Sequence, residues 1–194
     1  MTRSRAEMIE ATRAKLLVTA RQAFRDVGYA ATSMDDFTAA AGLTRGALYH
    51  HFGDKKGLLA AVVEQIDGEM DKRLAAIAAQ APDAWSALQG RCRAYLQMAA
   101  ETEIRRIVLQ DARAVLGGAA DGSQQHCIAS LAALLQTMMD QDLIEAAAPQ
   151  ALARLINGSL VESAFWIAQD AEDGPRLAQA LQALDLLLRG LLKR

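Results

Sequence analysis

The segment 32–59, TSMDDFTAAAGLTRGALYHHFGDKKGLL, constrains the fold of this chain more than any other part of it. Its spacing predicts two short helices joined by a turn at Gly42, then a break at Gly53 and the start of a longer helix. Helices of about two turns are not stable alone in water, so they must share a core with their neighbours. The segment therefore predicts a small N-terminal unit of short, packed helices.

Apolar periodicity and capping residues extend this prediction along the chain. The stripe within Ala11 to Val27 predicts a helix ahead of the segment, with Arg3 and Arg5 on an arm before it. Ser33 and Asp36 form a capping-box pattern at the start of the second helix. The later helices are expected at Arg45 to Phe52 with Thr44 as N-cap, Lys55 to Ala79, Asp83 to Ala100, Glu103 to Leu116, Ser123 to Gln141, Pro149 to Gln169 and Pro175 to Leu192.

Composition and charge narrow the class of protein. Of 194 residues, 52% are hydrophobic and three are proline, and β-branched clusters are sparse, which is typical of an all-α protein. Residues 1–60 hold nine Lys/Arg and six Asp/Glu, a net charge of +3, whereas the rest carries −5. A basic head on an acidic body favours a DNA-binding module joined to a part with another function. No apolar run approaches the ~20 residues of a membrane span, and the N-terminus lacks a signal-peptide core, so we expect a cytoplasmic protein.

The cysteine and histidine pattern does not indicate a metal site. Cys92 and Cys127 lie in apolar helical contexts and are interpreted as reduced core residues. The neighbours His50 and His51, like His126 and Cys127, point to different faces of a helix, unlike the ligands of a zinc site. The sequence also lacks a phosphate-binding loop and a nucleophile elbow. We therefore expect no metal, no cofactor and no enzymatic activity.

The third helix has the chemistry of a helix that reads DNA bases. Such a helix offers base-edge donors at its N-terminal end and phosphate donors around them. Arg45 can bond guanine O6 and N7, and Ala47 can contact a thymine methyl group. Gly46 removes a side chain where the helix would approach the bases. Tyr49 can place its ring near a base or its hydroxyl on a phosphate.

Residues 12–60 resemble the N-terminal domain of TetR/AcrR-type transcriptional repressors. The resemblance rests on AGLTRGALYHHFGDKKGLL at 41–59, preceded by GYAATSM at 28–34. It implies an all-α fold of about nine helices: a three-helix helix-turn-helix DNA-binding domain in residues 1–54 and a helix bundle for ligand binding and dimerisation in 55–194. It also implies a homodimeric repressor that binds a palindromic double-stranded operator and is released by a small-molecule effector.

The expected DNA-binding residues combine the third helix with flanking positions where members of this family contact phosphates. They are Thr32, Ser33, Thr44, Arg45, Gly46, Ala47, Tyr49, His50, His51 and Lys55. Alternatives remain open at this point. Arg45 and Lys55 are also explained as surface charges, residues 32–33 as helix caps, and Tyr49 and His51 as packing residues.

The last two helices are expected to form the dimer interface, because their apolar stripes exceed what one monomer needs to bury. The predicted residues are Leu155, Ile156, Gly158, Ser159, Glu162, Ser163, Leu184, Leu187, Leu188 and Leu191. The small residues among them would let two helices approach closely. The alternative is that these stripes only close the monomer core.

The middle helices are expected to enclose an effector cavity, because their apolar and aromatic residues are interspersed with a few polar ones. The candidate lining residues are Trp85, Tyr95, Met98, Arg105, Gln110, His126, Cys127, Met138, Phe165 and Trp166. Side chains of this kind at helical spacing are also typical of a plain core.

The resemblance further implies that an effector acts by favouring one of two conformations. Asp111 or Arg113, near the end of the sixth helix, is the predicted relay between body and head. Within DNA binding, the alternatives are an activator or a member that answers to a protein partner. An all-α enzyme or a helical interaction protein is the alternative from another class, and it would show no salt-dependent binding of a palindromic duplex.

Overall fold

The computed structural model describes residues 4–117, 121–170 and 174–193, apart from the side chains of 121–123. The described residues are helical, with one isolated bridge between Ile144 and Leu192 and no strand. The predicted all-α class is confirmed. The helices are α1 (Arg5–Val27), α2 (Met34–Ala40), α3 (Arg45–Phe52), α4 (Lys55–Gln80), α5 (Ala84–Met98), a π-helix (Ile104–Ala112), α6 (Arg113–Leu116), α7 (Asp121–Asp140), α8 (Pro149–Ala168) and α9 (Arg176–Arg189).

The first helix begins earlier than its apolar stripe predicted. Ser4 is its N-cap, and the Ser4 hydroxyl accepts the Glu7 amide while the Glu7 carboxylate accepts the Ser4 amide, which makes a complete capping box. Arg5 therefore lies in the first turn of α1 and not on an arm, while Arg3 lies outside the described residues. The prediction missed this turn because residues 5–10 show little apolar periodicity.

The sixth helix also differs from its predicted form. An α-helix was expected from Glu103 to Leu116, but Ile104–Ala112 form a π-helix that continues directly into α6. The wider turn of a π-helix leaves the sequence amphipathic, so periodicity alone does not separate the two. π-Helical geometry is rare, is mostly confined to single turns within α-helices, and is frequent at functional sites.

One hydrophobic core runs through head and body, where the head is α1–α3 and the body is everything from α4 onward. In the head, Phe24 and Leu48 are fully buried, and Leu58 and Leu59 of α4 join the same cluster. Farther along α4, Leu74 belongs to the core of the body, which α5, α7 and α8 also build. Because α4 contributes residues to both parts, it connects the head to the body. Within the described chain, no helix is both long and apolar enough to cross a bilayer.

Candidate DNA-binding surface and effector cavity

Helix α3 is held by one face and presents the other to solvent. The Thr44 hydroxyl caps it by accepting the Ala47 amide at 3.2 Å, and Leu48 is buried to 1% exposure. The residues around Leu48 are accessible: Tyr49 remains 53% exposed, and Arg45 and Gly46 are exposed as well. The helix therefore has a rigid anchor and a free face of the size that enters a DNA groove.

The Arg45 side chain is oriented by its neighbour α2. Arg45 Nε lies 2.7 Å from Asp35 Oδ1, and both side chains are more than half exposed, at 57% and 67%. An exposed ion pair of this kind contributes at most about 1 kcal/mol, so a guanine or phosphate contact can replace it at low cost. Asp35 thus holds the Arg45 side chain near the start of α3.

The other predicted DNA-binding residues differ in their accessibility to solvent. Ser33 is exposed, and its hydroxyl accepts the Asp36 amide at 3.4 Å, while His50 is exposed and His51 is half-buried. Thr32 is 7% exposed and donates its hydroxyl to the Gly28 carbonyl at 2.7 Å. Its hydroxyl proton is therefore unavailable to a phosphate, and the expectation of a Thr32 phosphate contact is corrected to a structural role.

Lys55 occupies the first turn of α4, beside the head. Its ammonium lies 4.4 Å from the centre of the Tyr29 ring, in cation–π contact. Burial lowers the pKa of Lys55 from its usual value, while the Asp111 carboxylate acts in the opposite direction. Lys55 is half-buried, with Tyr29 of the head and Asp111 of the π-helix close to its ammonium group.

Arg21 of α1 forms the strongest polar contact between head and body. It donates two hydrogen bonds to Glu69 of α4 and two to Glu103, which precedes the π-helix, all at 2.7 Å. These bonds, with Glu103 the larger influence, raise the pKa of Arg21 above its usual value. A guanidinium bound in this bidentate way fixes the angle of its partners, so Arg21 sets the position of α1 against the body.

A second contact joins the π-helix to the loop after α1. The Asp111 carboxylate accepts the Tyr29 amide at 2.8 Å, and Arg106 donates to the Val27 carbonyl, also at 2.8 Å. Between them Gly28 has a φ of +85°, and a Cβ there would lie 2.4 Å from the Arg106 guanidinium. Only glycine allows both the backbone conformation and the approach of Arg106.

The body encloses a cavity of about 300 Å³ between α4, α5, the π-helix, α7 and α8. This volume lies at the lower end of the range for small-molecule sites. Its lining is mostly apolar, with several polar groups from different helices. The lining residues are Asp67, Met70, Asp71, Leu74, Tyr95, Ala99, Ile104, Val108, Leu109, Gly117, Gln124, Cys127, Asn157, Val161, Ala164 and Phe165.

Two family models match this chain. Residues 16–62 match the model described as bacterial regulatory proteins, tetR family, and residues 85–191 match the tetracyclin repressor-like C-terminal domain. The first range contains α2 and α3, and the second, which is more than half of the chain, contains most of the cavity lining. The chain belongs to the TetR family of transcriptional regulators.

Similar proteins support the same assignment for this TetR-family chain. A crystal structure of a TetR-family transcriptional regulator from Pectobacterium atrosepticum is 63% identical, covers 99% of both chains and superposes with a TM-score of 0.92. The transposon Tn10 TetC protein of Escherichia coli is 27% identical over 78% of each chain. The HTH-type transcriptional regulator TtgR of Pseudomonas putida is 38% identical over 66 residues, which is 34% of this chain and 31% of that protein. The predicted family and the prediction that the chain is not an enzyme are thereby confirmed.

Three residues of the ten predicted to line the cavity of this TetR-family protein do so: Tyr95, Cys127 and Phe165. The other seven are corrected. Met98 and Met138 are buried in the core, Trp85 packs against it, Arg105 is half-buried outside the lining, Gln110 donates to the Ala168 carbonyl, His126 is exposed, and Trp166 lies on the outer face of α8. The sequence pattern predicted suitable residue types for a cavity, but the position of each residue around its helix axis decides which side chains face inward.

Sequence reasoning missed the polar residues of the cavity. Asp67 and Asp71 lie one turn apart beside the apolar stripe of α4, and Asn157 interrupts the buried stripe of α8 between Ala153 and Leu160. A polar residue within a buried stripe is the signal that was available. Cys127, interpreted as a core residue, donates its thiol to Asp71 at 3.3 Å, and burial is the main reason that its pKa rises to about 11.

The large exposed apolar residues of this TetR-family chain lie on α1, at Tyr49 of α3, and on α8 and α9. Leu155 is 70%, Leu186 70%, Leu187 63% and Trp166 40% exposed. Ser159 and Ser163 lie in the groove that Trp166 and Leu187 border, on the same face. Four predicted interface residues instead pack with the monomer core: Leu184 and Leu188, which are 7% and 2% exposed, and the partly buried Ile156 and Leu191. Among the residues that the structure describes, no cluster of His, Cys, Asp and Glu is arranged to hold a metal ion.

Proposed function

We propose that this TetR-family regulator is a cytoplasmic homodimeric repressor that binds a palindromic operator with α3 and releases it when a small molecule enters the cavity. The observation that carries the proposal is the exposed face of α3, with Arg45 at its N-terminal end and Leu48 buried behind it. A single recognition helix makes few contacts, so two copies one helical turn apart, about 34 Å, are needed for a selective site.

The apolar face of α8 and α9 supports dimerisation. Four large exposed apolar side chains lie on these two adjacent helices, and two of them, Trp166 and Leu187, border one groove, as is typical of protein–protein contact surfaces. We expect Leu187→Glu to give a monomer at micromolar concentration, because the carboxylate would be buried without a partner in the interface. Light scattering coupled to gel filtration measures the molar mass and so distinguishes monomer from dimer. Gln182→Glu, at an exposed position of the same helix, is the matched control. Dimers of both variants would contradict this interface.

The contacts of α4 support release by an effector. Helix α4 contributes Asp67, Met70, Asp71 and Leu74 to the cavity, while its Glu69 bonds to Arg21 of the head. The π-helix has the same double role, because Ile104 lines the cavity and Asp111 bonds to the loop after α1. A ligand that favours another position of these two helices therefore also changes the spacing of the recognition helices.

The experiment that tests DNA binding is selection of bound fragments from random duplexes by the purified protein. We expect a palindrome whose affinity falls steeply with salt. Arg45→Ala should no longer select it, because each good bidentate base contact discriminates by about 1–3 kcal/mol. Arg25→Ala is the matched control, since Arg25 is also exposed and paired with an aspartate, Asp26, at 2.9 Å. Failure to enrich any sequence from protein freed of bound small molecules would overturn the proposal.

A further inference from the structure

Two carboxylates lie inside the cavity and only one of them is satisfied. Asp67 and Asp71 are four residues apart on α4 and so share one face. Asp71 Oδ1 accepts the Cys127 thiol at 3.3 Å. Asp67 Oδ2 is buried and has no hydrogen-bond partner among the described residues. This oxygen of Asp67 therefore lacks the hydrogen bond or ion pair that offsets the free-energy cost of burying a carboxylate.

A buried amide faces the same space. Asn157 of α8 is 5% exposed and lines the cavity. Buried polar groups are normally hydrogen-bonded, so an amide that faces a cavity from an otherwise apolar stripe points to a ligand that pairs with it. The amide oxygen and the two carboxylates offer acceptors from opposite walls, α8 and α4.

The charge of the lining is negative. No Lys, Arg or His belongs to the described residues that line the cavity. Arg91 lies outside the lining and donates to the Ser130 hydroxyl at 2.9 Å, although it is close enough to Cys127 to oppose the effect of burial, which raises the pKa of that thiol. Arg113 lies over the Phe165 ring at 3.9 Å, also outside the lining. Burial, and then the charge of Asp71, raise the pKa of Asp67 to about 6.

We propose that the cavity binds a protonated amine attached to an apolar body. The ammonium group lies between Asp67 and Asp71 and donates to the Asn157 side-chain oxygen. Its three N–H donors match these acceptors, and the Tyr95 ring adds an aromatic surface that favours a cation. The apolar body packs against the lining of Met70, Leu74, Ile104, Val108 and Val161.

Charge explains why an amine is favoured over other ligands of the same shape. A neutral ligand can donate a hydrogen bond to the Asp67 oxygen but brings no positive charge to balance the carboxylates, and an anion adds a further negative charge to a lining without a cation. The proposal rests on the proposed function in one respect, since it takes this cavity as the effector site.

The test is calorimetric titration of the full-length protein at about pH 7.5 with three ligands of one shape: phenylbutylammonium, phenylbutanol and phenylbutyrate. The shorter phenethyl and longer phenylhexyl homologues cover the length of the cavity. We expect the ammonium to bind at least about tenfold more tightly than the alcohol, because hydrogen bonds between charged partners are stronger, and the carboxylate to bind most weakly. Equal binding of the three, preference for the carboxylate, or no binding of any ammonium homologue overturns the proposal.

Substitutions in the cavity test which residues cause the preference for the ammonium ligand over the alcohol. Asp67→Asn removes the charge while keeping the size, and it should bind ammonium and alcohol within about threefold of each other. Asn157→Leu should weaken ammonium binding without weakening alcohol binding. Asp140→Asn, an exposed aspartate of α7, is the matched control and should keep the preference of the natural chain. Thermal unfolding by circular dichroism checks that each variant folds, and an unchanged preference in folded Asp67→Asn also overturns the proposal.

Release of the selected DNA duplex, followed by fluorescence anisotropy, separates this inference from the proposed function. If amines bind through Asp67 and DNA stays bound, the ligand class stands and the effector role of the cavity fails. If neutral or anionic compounds release the DNA and no amine binds, the repressor function stands and the ligand class is wrong.

Discussion

The recognition surface and the cavity present their functional groups in opposite ways. The recognition surface is contiguous in sequence: Thr44 to His51 display exposed side chains from one short helix that Leu48 anchors. The cavity takes its polar groups from Asp67, Tyr95, Cys127 and Asn157, each on a different helix. A surface that reads DNA is built from local structure on a stable support, whereas a pocket exists only once several helices have packed.

The two regions also differ in how their charges are balanced. Arg45 is paired with Asp35 in water, where exchange of partners is cheap. Asp67 is half-buried, and its Oδ2 oxygen is buried without a partner among the described residues, which is destabilising. The first region is therefore ready to bind at little cost, and the second gains stability when a matching ligand arrives.

The largest expected effect tests whether the recognition surface acts without the cavity. Arg45→Ala should weaken operator binding by at least about 30-fold, because a dimer loses two contacts worth about 1–3 kcal/mol each. Cavity binding of phenylbutylammonium should not change. Anisotropy and calorimetry measure the two affinities, and a parallel loss of both would show that the regions are not separable.

The next effect concerns the unpaired carboxylate. The pKa of Asp67 is raised to about 6 in the folded protein, above its unfolded value, so the native state holds this proton more tightly and loses stability as pH rises from about 4 to about 6. Asp67→Asn removes this loss. It should be more stable than the natural chain by about 1–3 kcal/mol at pH 8 and by little at pH 4. Urea unfolding at the two pH values measures the difference, and an equal effect at both would contradict the buried charge.

A smaller effect tests the connection between the two regions. Arg21→Ala leaves Glu69 and Glu103 without their shared partner and should lower the free energy of unfolding by about 1–2 kcal/mol. Arg73→Ala is the matched comparison, because Arg73 pairs with Glu101 while both side chains are more exposed, at 51% and 43%. It should cost less than about 1 kcal/mol. A comparable loss in both variants would reduce the Arg21 contact to an ordinary surface pair.

The smallest expected effect concerns Asp111. Asp111→Ala removes the acceptor of the Tyr29 amide. The lost hydrogen bond is worth about 1 kcal/mol, and because it joins the body to the head, its loss should weaken the coupling between them. We expect the ligand concentration for DNA release to change several-fold while the affinity of the free protein for DNA changes less. Arg113→Ala is the comparison, because Arg113 contacts Phe165 and not the head. If Asp111→Ala weakens the ligand response and the DNA affinity of the free protein equally, the prediction that Asp111 is a relay is wrong.

How far the sequence predicts this molecule depends on the range of the interactions involved. The bounds of α3, Arg45–Phe52, were predicted correctly because Thr44 and Gly53 act on adjacent residues. The π-helix was missed because its hydrogen-bond pattern depends on packing against α1, α4 and α8 rather than on apolar period. Asp111 was predicted as a relay from the resemblance, and the structure shows its contact with Tyr29, although its role remains a prediction.

The sequence by itself determined the helical class, the family and the bounds of α3, because caps, turn glycines and short amphipathic segments encode local structure. Only the tertiary structure decided which side chains line the cavity, that Thr32 is buried, and that Leu184 and Leu188 belong to the monomer core. The physical reason is helix register. A rotation of about 100° per residue moves a side chain from the core to the surface, and packing between distant helices sets that rotation.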